Sequence, residues 1–396
     1  MTQPRARRQW AIVGASGFLT GIGHGFVQIA ASAILKPLAA EFDLSRAGAS
    51  GAMSLGRLVQ GGTSLVAGHA VDIWGGRIVV VIGTVVMAAG LLLTALAGAS
   101  LGFYLSWGLV VSAGASLAFT VAMDRTILAN VVKRRGFALS VRFTVVALVT
   151  ALQLPLILWL VTNFGWRATC AVWSGLLILL VPLPLLLFEG ARAVPSDNTG
   201  GRSLTLRRAM KTRAYWIIGF ASMSMGMTVS GISVHSIPML TDRGWTIAGA
   251  GGVVATLTLL TIPARLLTGV FSDRLAARHL PGILGVVLLA FGLTVAADAA
   301  IGTDASLVAM MMAMGIATGV PTVMILVISV TRFGQESIGA IQGSFMFLQA
   351  PGTVAAPVIA GWAHDGTGTY APAIAIFAGF LATAGIALQF LTTGET

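Results

Sequence analysis

Of 396 residues, 56% are hydrophobic and only 9% charged, and the mean hydropathy is +0.91, which excludes an ordinary soluble domain and describes a polytopic membrane protein. The formal charge of +11 raises the possibility of a nucleic-acid partner, so its distribution has to be read before its sign is given a meaning. Cys170 stands alone, which excludes an internal disulfide or a cysteine metal cluster.

Twelve apolar runs follow one another, each long enough to cross roughly 30 Å of hydrocarbon as a helix. They lack the alternating pattern of short lipid-facing strands, so a β-barrel is not expected. The first, 11–35, follows "RARRQW", which resembles the charged start of a signal peptide. No small-residue cleavage site closes the run, so it reads as the first membrane helix. Within it "TGIGHGFVQ" carries His24 and Gln28, and Gly21, Gly23 and Gly25 allow the backbone to bend or pack closely, which favours a moving helix. The second, 49–71, holds Arg57 and Gly68 and ends on "GHAVDIWGGR", with Asp72 and Arg77. The third is 78–98. The fourth, 101–130, carries Asp124 and Arg125, the fifth, 137–162, carries Arg142 and Gln153, and the sixth is 168–188.

Residues 189–213, "EGARAVPSDNTGGRSLTLRRAMKTR", form the only long polar interruption and read as a cytoplasmic linker between a bundle at 1–188 and another at 214–396. The seventh run, 214–240, holds His235, and the eighth, 247–271, holds Arg265, eight residues before Asp273. The ninth and tenth are 281–299 and 306–330. Gln349 lies in the eleventh, 337–362, and the twelfth is 371–392.

With the N-terminus inside, Arg5, Arg7, Arg8, Arg77, Lys133, Arg134, Arg135, the basic linker, Arg274, Arg278 and Arg332 share one face. Only Lys36, Arg46, Arg167 and Arg243 fall opposite. This is the positive-inside asymmetry, so both termini are expected in the cytoplasm and the excess charge reflects topology, with no nucleic-acid partner.

Arg57, Arg125, Arg142 and Arg265 fall inside spans, and Asp124 is the one clear intramembrane acid. A central charge costs about 2.5–3.5 kcal/mol, so such residues usually face the bundle interior and mark a pathway. Arginine cannot easily shed its proton, so a negative partner must meet it, and an anionic substrate is one. Arg265 lies about 12 Å from the loop at Asp273, near mid-membrane, and Arg57 about 22 Å from Asp72. Arg142 is near enough to its loop for snorkelling to explain it, and Arg57 less so. Asp124 reads either as a salt-bridge partner of Arg142 or as a proton carrier, with His24 and His235 as further proton candidates or as packing residues. Gln28, Gln153 and Gln349 are further polar candidates, the commoner explanation being plain interhelical hydrogen bonding.

The two halves also repeat. "KPLAAEFDLSRAGASG" from Lys36 matches "IPMLTDRGWTIAGAGG" from Ile237 at an offset of 201, and the same offset pairs Gly68 with Gly269, Asp72 with Asp273 and Arg77 with Arg278. Two parallel six-helix repeats are the architecture of an alternating-access carrier with a midplane site.

"GHAVDIWGGR" and its weaker copy "GVFSDRLAAR" resemble the loop signature of the major facilitator superfamily. The resemblance implies an all-α membrane fold of twelve transmembrane helices in two six-helix pseudo-symmetric bundles. It also implies a conformational gate at Gly68, Asp72, Arg77 and Asp273, with Asp72 accepting bonds from a helix N-terminus. "TIPARLLTGVFSD" resembles the corresponding stretch of monocarboxylate transporters, which implies that Arg265 binds a carboxylate. Thr261 replaces that family's acidic residue, and Ser32 lies near its missing helix 1 lysine. "VVKRRGFALSV" is similar to a further family stretch, with Ser140 in place of a glycine. "GAIQGSFMFLQAPGTVAAP" resembles oxalate and formate exchangers, with Gln349 where they carry lysine, which suggests a substrate with one carboxylate.

The expectation is a secondary active transporter in the cytoplasmic membrane, working as a monomer and moving a small organic carboxylate with a proton. Substrate contacts are expected at Arg265, Arg125, Arg57, Arg142, Gln28 and Gln349, and proton coupling at Asp124, His24 or His235. No cofactor, metal or enzymatic chemistry is expected, and membrane lipid is the only other partner. A proton-coupled exporter of drugs or metabolites is the alternative. From another class, a transporter-like sensor remains, because fold alone does not prove transport.

Overall fold

The computed structural model describes residues 3–43, 46–131, 134–188 and 204–393. Residues 189–203 of the expected linker and Lys133 lie outside the described residues, as do the side chains of Ser32, Lys36 and Arg46.

No strand is found among the described residues, and ten helical stretches are long and apolar enough to cross a membrane. Two of them are double. Helix α2 (Arg46–Ala95) turns at Gly75, with φ 79° and ψ 161°, and α6 (Arg135–Leu180) turns at Gly165, with φ 80° and ψ 167°. Each glycine takes a backbone conformation that a side chain would strain, so each marks the boundary between two successive spans. The ten stretches thereby resolve into twelve transmembrane helices.

Residues 1–201 and 335–347 form one compact unit. Its helices are α1 (Gln3–Glu41), α2, α3 (Ser100–Phe103), α4 (Ser112–Phe119), α5 (Val121–Asn130), α6 and α7 (Pro182–Leu187), with a π-helical stretch at Tyr104–Val111 joining α3 to α4. Aromatic rings centre its core: Phe26 stacks on Trp173 at 4.7 Å and Phe103 on Trp107 at 5.9 Å. The Trp173 indole donates to the Ile22 carbonyl, so a large ring is buried without an unmet polar atom.

Glycines bring α1 onto α6. A Cβ at Gly17 would lie 2.8 Å from the Arg142 carbonyl and from Val145, and one at Gly21 would lie 2.6 Å from Val149. Gly25 faces Thr150 and Gln153 in the same way. This four-residue spacing of small side chains is a packing seam.

Residues 202–334 and 348–396 form the second unit. It holds α8 (Leu206–Ala209), α9 (Arg213–Thr241), α10 (Ile247–Ser272), α11 (Leu280–Ile301), α12 (Asp304–Phe333), most of α13 (Ile338–Thr367) and α14 (Ala371–Thr393). Prolines shape how α9 meets α13. Pro357 has no N–H to give to the Thr353 carbonyl, and Ser230 Oγ donates to that carbonyl instead, at 2.7 Å. Across both units many large apolar side chains point outward, Leu96, Leu152, Leu179, Leu186 and Leu293 among them, as a lipid-bathed surface requires.

Candidate functional site

In the first unit a polar column is built around a broken helix. Thr120, between α4 and α5, has φ −106° and ψ −104°, and the N–H groups of Met123 and Asp124 both turn to the Thr120 carbonyl. The Phe119 carbonyl is thereby released from its helical partner. Arg142 Nη2 donates to it at 3.1 Å and to Thr20 Oγ1 at 3.1 Å, while Nη1 meets Asp124 Oδ1 at 2.5 Å. Arg142 is only 1% exposed, so desolvation makes its ion pair indispensable.

One turn along α1 from Thr20 stands His24, and one turn further Gln28, whose Nε2 lies 3.0 Å from His24 Nε2. With the Gln28 amide donating, His24 carries its proton on Nδ1, a buried atom that meets no acceptor. Arg142 and Arg57 both lie within electrostatic reach of His24, and Arg57 itself is exposed. Gln153 is buried and donates to the Gly21 carbonyl at 2.9 Å.

Arg125 belongs to a different cluster. Its Nε donates to Asp72 Oδ1 at 3.2 Å, and the same carboxylate accepts from the N–H groups of Gly339 (3.2 Å) and Ala340 (2.9 Å) in the first turn of α13. An anion at a helix N-terminus satisfies donors that the helix leaves open. Gly68 permits the approach, because a Cβ there would run into the Gly339 backbone. Ser64 Oγ adds a bond to the Gly343 carbonyl at 2.7 Å. Arg77 is half-buried, and Asp273, the counterpart of Asp72 in the repeated motif, is exposed just after α10.

In the second unit Arg265 is half-buried, with its Nε buried, and it is the sole charged residue of α10. Gly315 and Gly319 bring α12 against α10 around it: a Cβ at Gly319 would lie 3.0 Å from the Arg265 backbone nitrogen and 2.9 Å from the Thr261 carbonyl. Thr261 Oγ1 is engaged with the Gly315 carbonyl at 3.0 Å and with Thr318 Oγ1 at 3.2 Å. The residue at the expected acidic position therefore ties two helices together. Gln349 donates to the Ser222 carbonyl at 3.1 Å, passing over Gly226, where a side chain would collide with its amide. His235 Nε2 lies 2.9 Å from the Pro357 carbonyl and its ring faces Tyr370 at 5.1 Å.

The structure thus gathers Asp124, Arg142 and His24 in one column of the first unit, and Arg125 with Asp72 in another cluster. Arg265, Gln349 and His235 fall in the second unit. Sequence reasoning did not anticipate Thr20 or the break at Thr120. A threonine one turn before His24 was the available signal for the first, and the break has none, because phenylalanine, threonine and valine also stand in the helices that run unbroken.

Residues 13–357 match the family model described as Major Facilitator Superfamily. The chain is 26% identical over 384 residues to monocarboxylate transporter 11 of Mus musculus, covering 94% of this chain and 85% of the relative. It is 28% identical over 375 residues to the Homo sapiens protein of that name, covering 91% and 78%. Monocarboxylate transporter 13 of Bos taurus matches at 24% over 378 residues, covering 94% and 86%. Among solved structures the chain superimposes on the transporter FucP in its outward conformation, with TM-score 0.75, 16% identity and coverage of 98% and 99%. It also superimposes on the human organic anion transporter MFSD10, with TM-score 0.72, 13% identity and coverage of 97% and 99%.

Proposed function

Since this chain belongs to the Major Facilitator Superfamily and is a transporter, not an enzyme, we propose that it is a secondary active transporter that carries a small organic carboxylate with a proton. One observation carries the reading. A guanidinium, Arg265, is held half-buried inside an otherwise uncharged helix, and the relatives are named for monocarboxylates. In that position a charge is tolerated where a partner of opposite sign visits it.

In this reading Arg265 holds the carboxylate, with Arg57, Arg125, Arg142, Gln28 and Gln349 as the wider polar set. The proton rides on Asp124, His24 or His235, and its uptake offsets the added negative charge so that the two states interconvert by alternating access. Gly68, Asp72, Arg77 and Asp273 form the gate. The bundles are residues 1–188 and 214–396, joined by 189–213. The chain works as a monomer in the cytoplasmic membrane with both termini inside.

The test is uptake of labelled acetate, pyruvate and oxalate into proteoliposomes, with and without a pH gradient. Arg265→Gln removes a charge-assisted contact of about 1.5–3 kcal/mol, so carboxylate uptake should fall roughly ten- to a hundredfold. Undiminished uptake by the variant rejects the site. Transport of neutral or cationic drugs that carboxylates do not compete with supports the exporter instead.

A further inference from the structure

The start of the second unit presents a rigid basic shelf. The Leu204 N–H donates to the Phe333 carbonyl at 2.8 Å, which pins the chain as it enters α8. Ala209, Ala214 and Tyr215 are buried to 2% exposure or less and anchor the segment. Thr212 Oγ1 donates to the Ala209 carbonyl at 2.7 Å and accepts from the Tyr215 N–H, joining α8 to α9.

What this framework turns outward is chemically uniform. Arg207, Arg208, Lys211 and Arg213 are all exposed, residues 204–216 contain no acid, and none of the four cations meets an acceptor among the described residues. Some arginines elsewhere bond within the fold: Arg125 to Asp72, Arg135 to the Val131 carbonyl, and Arg332 to the Leu391 carbonyl. The apolar neighbours on the shelf are exposed too, Met210 at 42% and Trp216 at 51%. The Trp216 indole N–H donates to the Met210 carbonyl at 2.8 Å, so the ring is held beside the cations where the membrane span Arg213–Thr241 begins. A tryptophan with a polar edge toward the headgroups and an apolar face toward the chains belongs at that level.

We propose that this shelf binds the headgroup of an anionic phospholipid, with the phosphate held among Arg207, Arg208, Lys211 and Arg213 and the acyl chains lying against Met210 and Trp216. Positive-inside topology alone asks for cations in a connection. It does not ask for the backbone that carries them to be pinned, or for them to be unpaired and flanked by an ordered aromatic. With the segment already ordered, only side chains remain to be ordered when a diester phosphate docks, which favours a resident lipid over a diffuse ion atmosphere. The inference is independent of the substrate reading, because it concerns only residues 204–216 of the second unit.

The experiment uses the full chain in a neutral detergent, with native mass spectrometry and thermal unfolding read against added phosphatidylglycerol or phosphatidylcholine. Phosphatidylglycerol should be retained and should raise the unfolding midpoint, with phosphatidylcholine inert and the effect weakening as salt rises. The triple variant Arg207→Gln/Arg208→Gln/Lys211→Gln should bind phosphatidylglycerol at least about tenfold more weakly. Arg274→Gln/Arg278→Gln, which also removes exposed loop charge, should bind as the wild type does. Equal retention by the triple variant overturns the proposal, as does an equal loss in the Arg274/Arg278 control. So does inorganic phosphate alone reproducing the shift, which would make the shelf a small-anion site, or salt-independent binding by the wild type.

Discussion

Arg142 shows how one backbone break decides the fate of a charge. Without the break at Thr120 the Phe119 carbonyl would be consumed by its own helix, and the guanidinium would lose one of three acceptors at a position 1% exposed. The pair it makes with Asp124 is therefore one whose removal from a single side strands a charge. Asp124→Ala should lower unfolding stability in detergent by about 3–5 kcal/mol. The double variant Asp124→Ala/Arg142→Met should recover part of that loss, because the stranded charge leaves with its partner. A double variant no more stable than the single one would show that the pair is not the cause. In sequence the intramembrane arginines differ only in depth. In the structure Arg142 and Arg125 meet protein acids, Arg57 is exposed, and Arg265 is half-buried in an uncharged helix.

Among the elements, α1 gives the clearest separation of roles. Its glycines invite two readings, a bend or a close contact, and the helix runs unbroken from Gln3 to Glu41 with Gly17, Gly21 and Gly25 set against α6. Gly14, by contrast, has nothing within 4 Å of where a Cβ would stand. Gly14→Ala should raise thermal stability by up to about 1 kcal/mol, because alanine favours the helix and meets no neighbour. Gly21→Ala should lower it by roughly 1–3 kcal/mol, since Val149 is β-branched and cannot rotate away cheaply. Melting curves of the two variants check the pair, and equal shifts would reject the seam.

At the scale of the molecule, the internal repeat reappears as similar contacts made with different chemistry. Glu41, at the end of α1, is bonded by Arg167 and by the Trp166 indole. Asp242, at the offset of 201 and just after α9, meets His364 Nε2 at 3.5 Å instead. The Arg167 hydrogen bond holds the Glu41 carboxyl below the usual carboxylate range, with partial burial opposing it and Trp166 assisting. A depressed carboxylate stabilises the fold above its unfolded-state value, and the contribution disappears as pH falls through the folded-state value. Glu41→Gln should thus melt lower than wild type at pH 7 by no more than about 1 kcal/mol, as befits an exposed pair. The two curves should converge in acid. A gap that persists below pH 3 would mean that the carboxylate's charge is not responsible.

The count of spans and the repeat at offset 201 were legible in the sequence. In lipid each segment must satisfy its own backbone, so hydropathy and length are local properties that determine where helices run. That Asp72 accepts from a helix N-terminus was also legible, through the resemblance its motif carries. The pairing of Asp124 with Arg142 was one of two readings open in the sequence, and the structure forms it. That Arg125 turns to Asp72 and that Arg142 gains the Phe119 carbonyl were not legible, because partners depend on how helices rotate about their axes and on the break at Thr120. Arg125 reaches 53 positions back to Asp72, and Gln349 crosses Gly226 to a carbonyl 127 positions away. Such contacts exist only once packing has brought the helices to glycine-limited distance, and tertiary structure alone decides them.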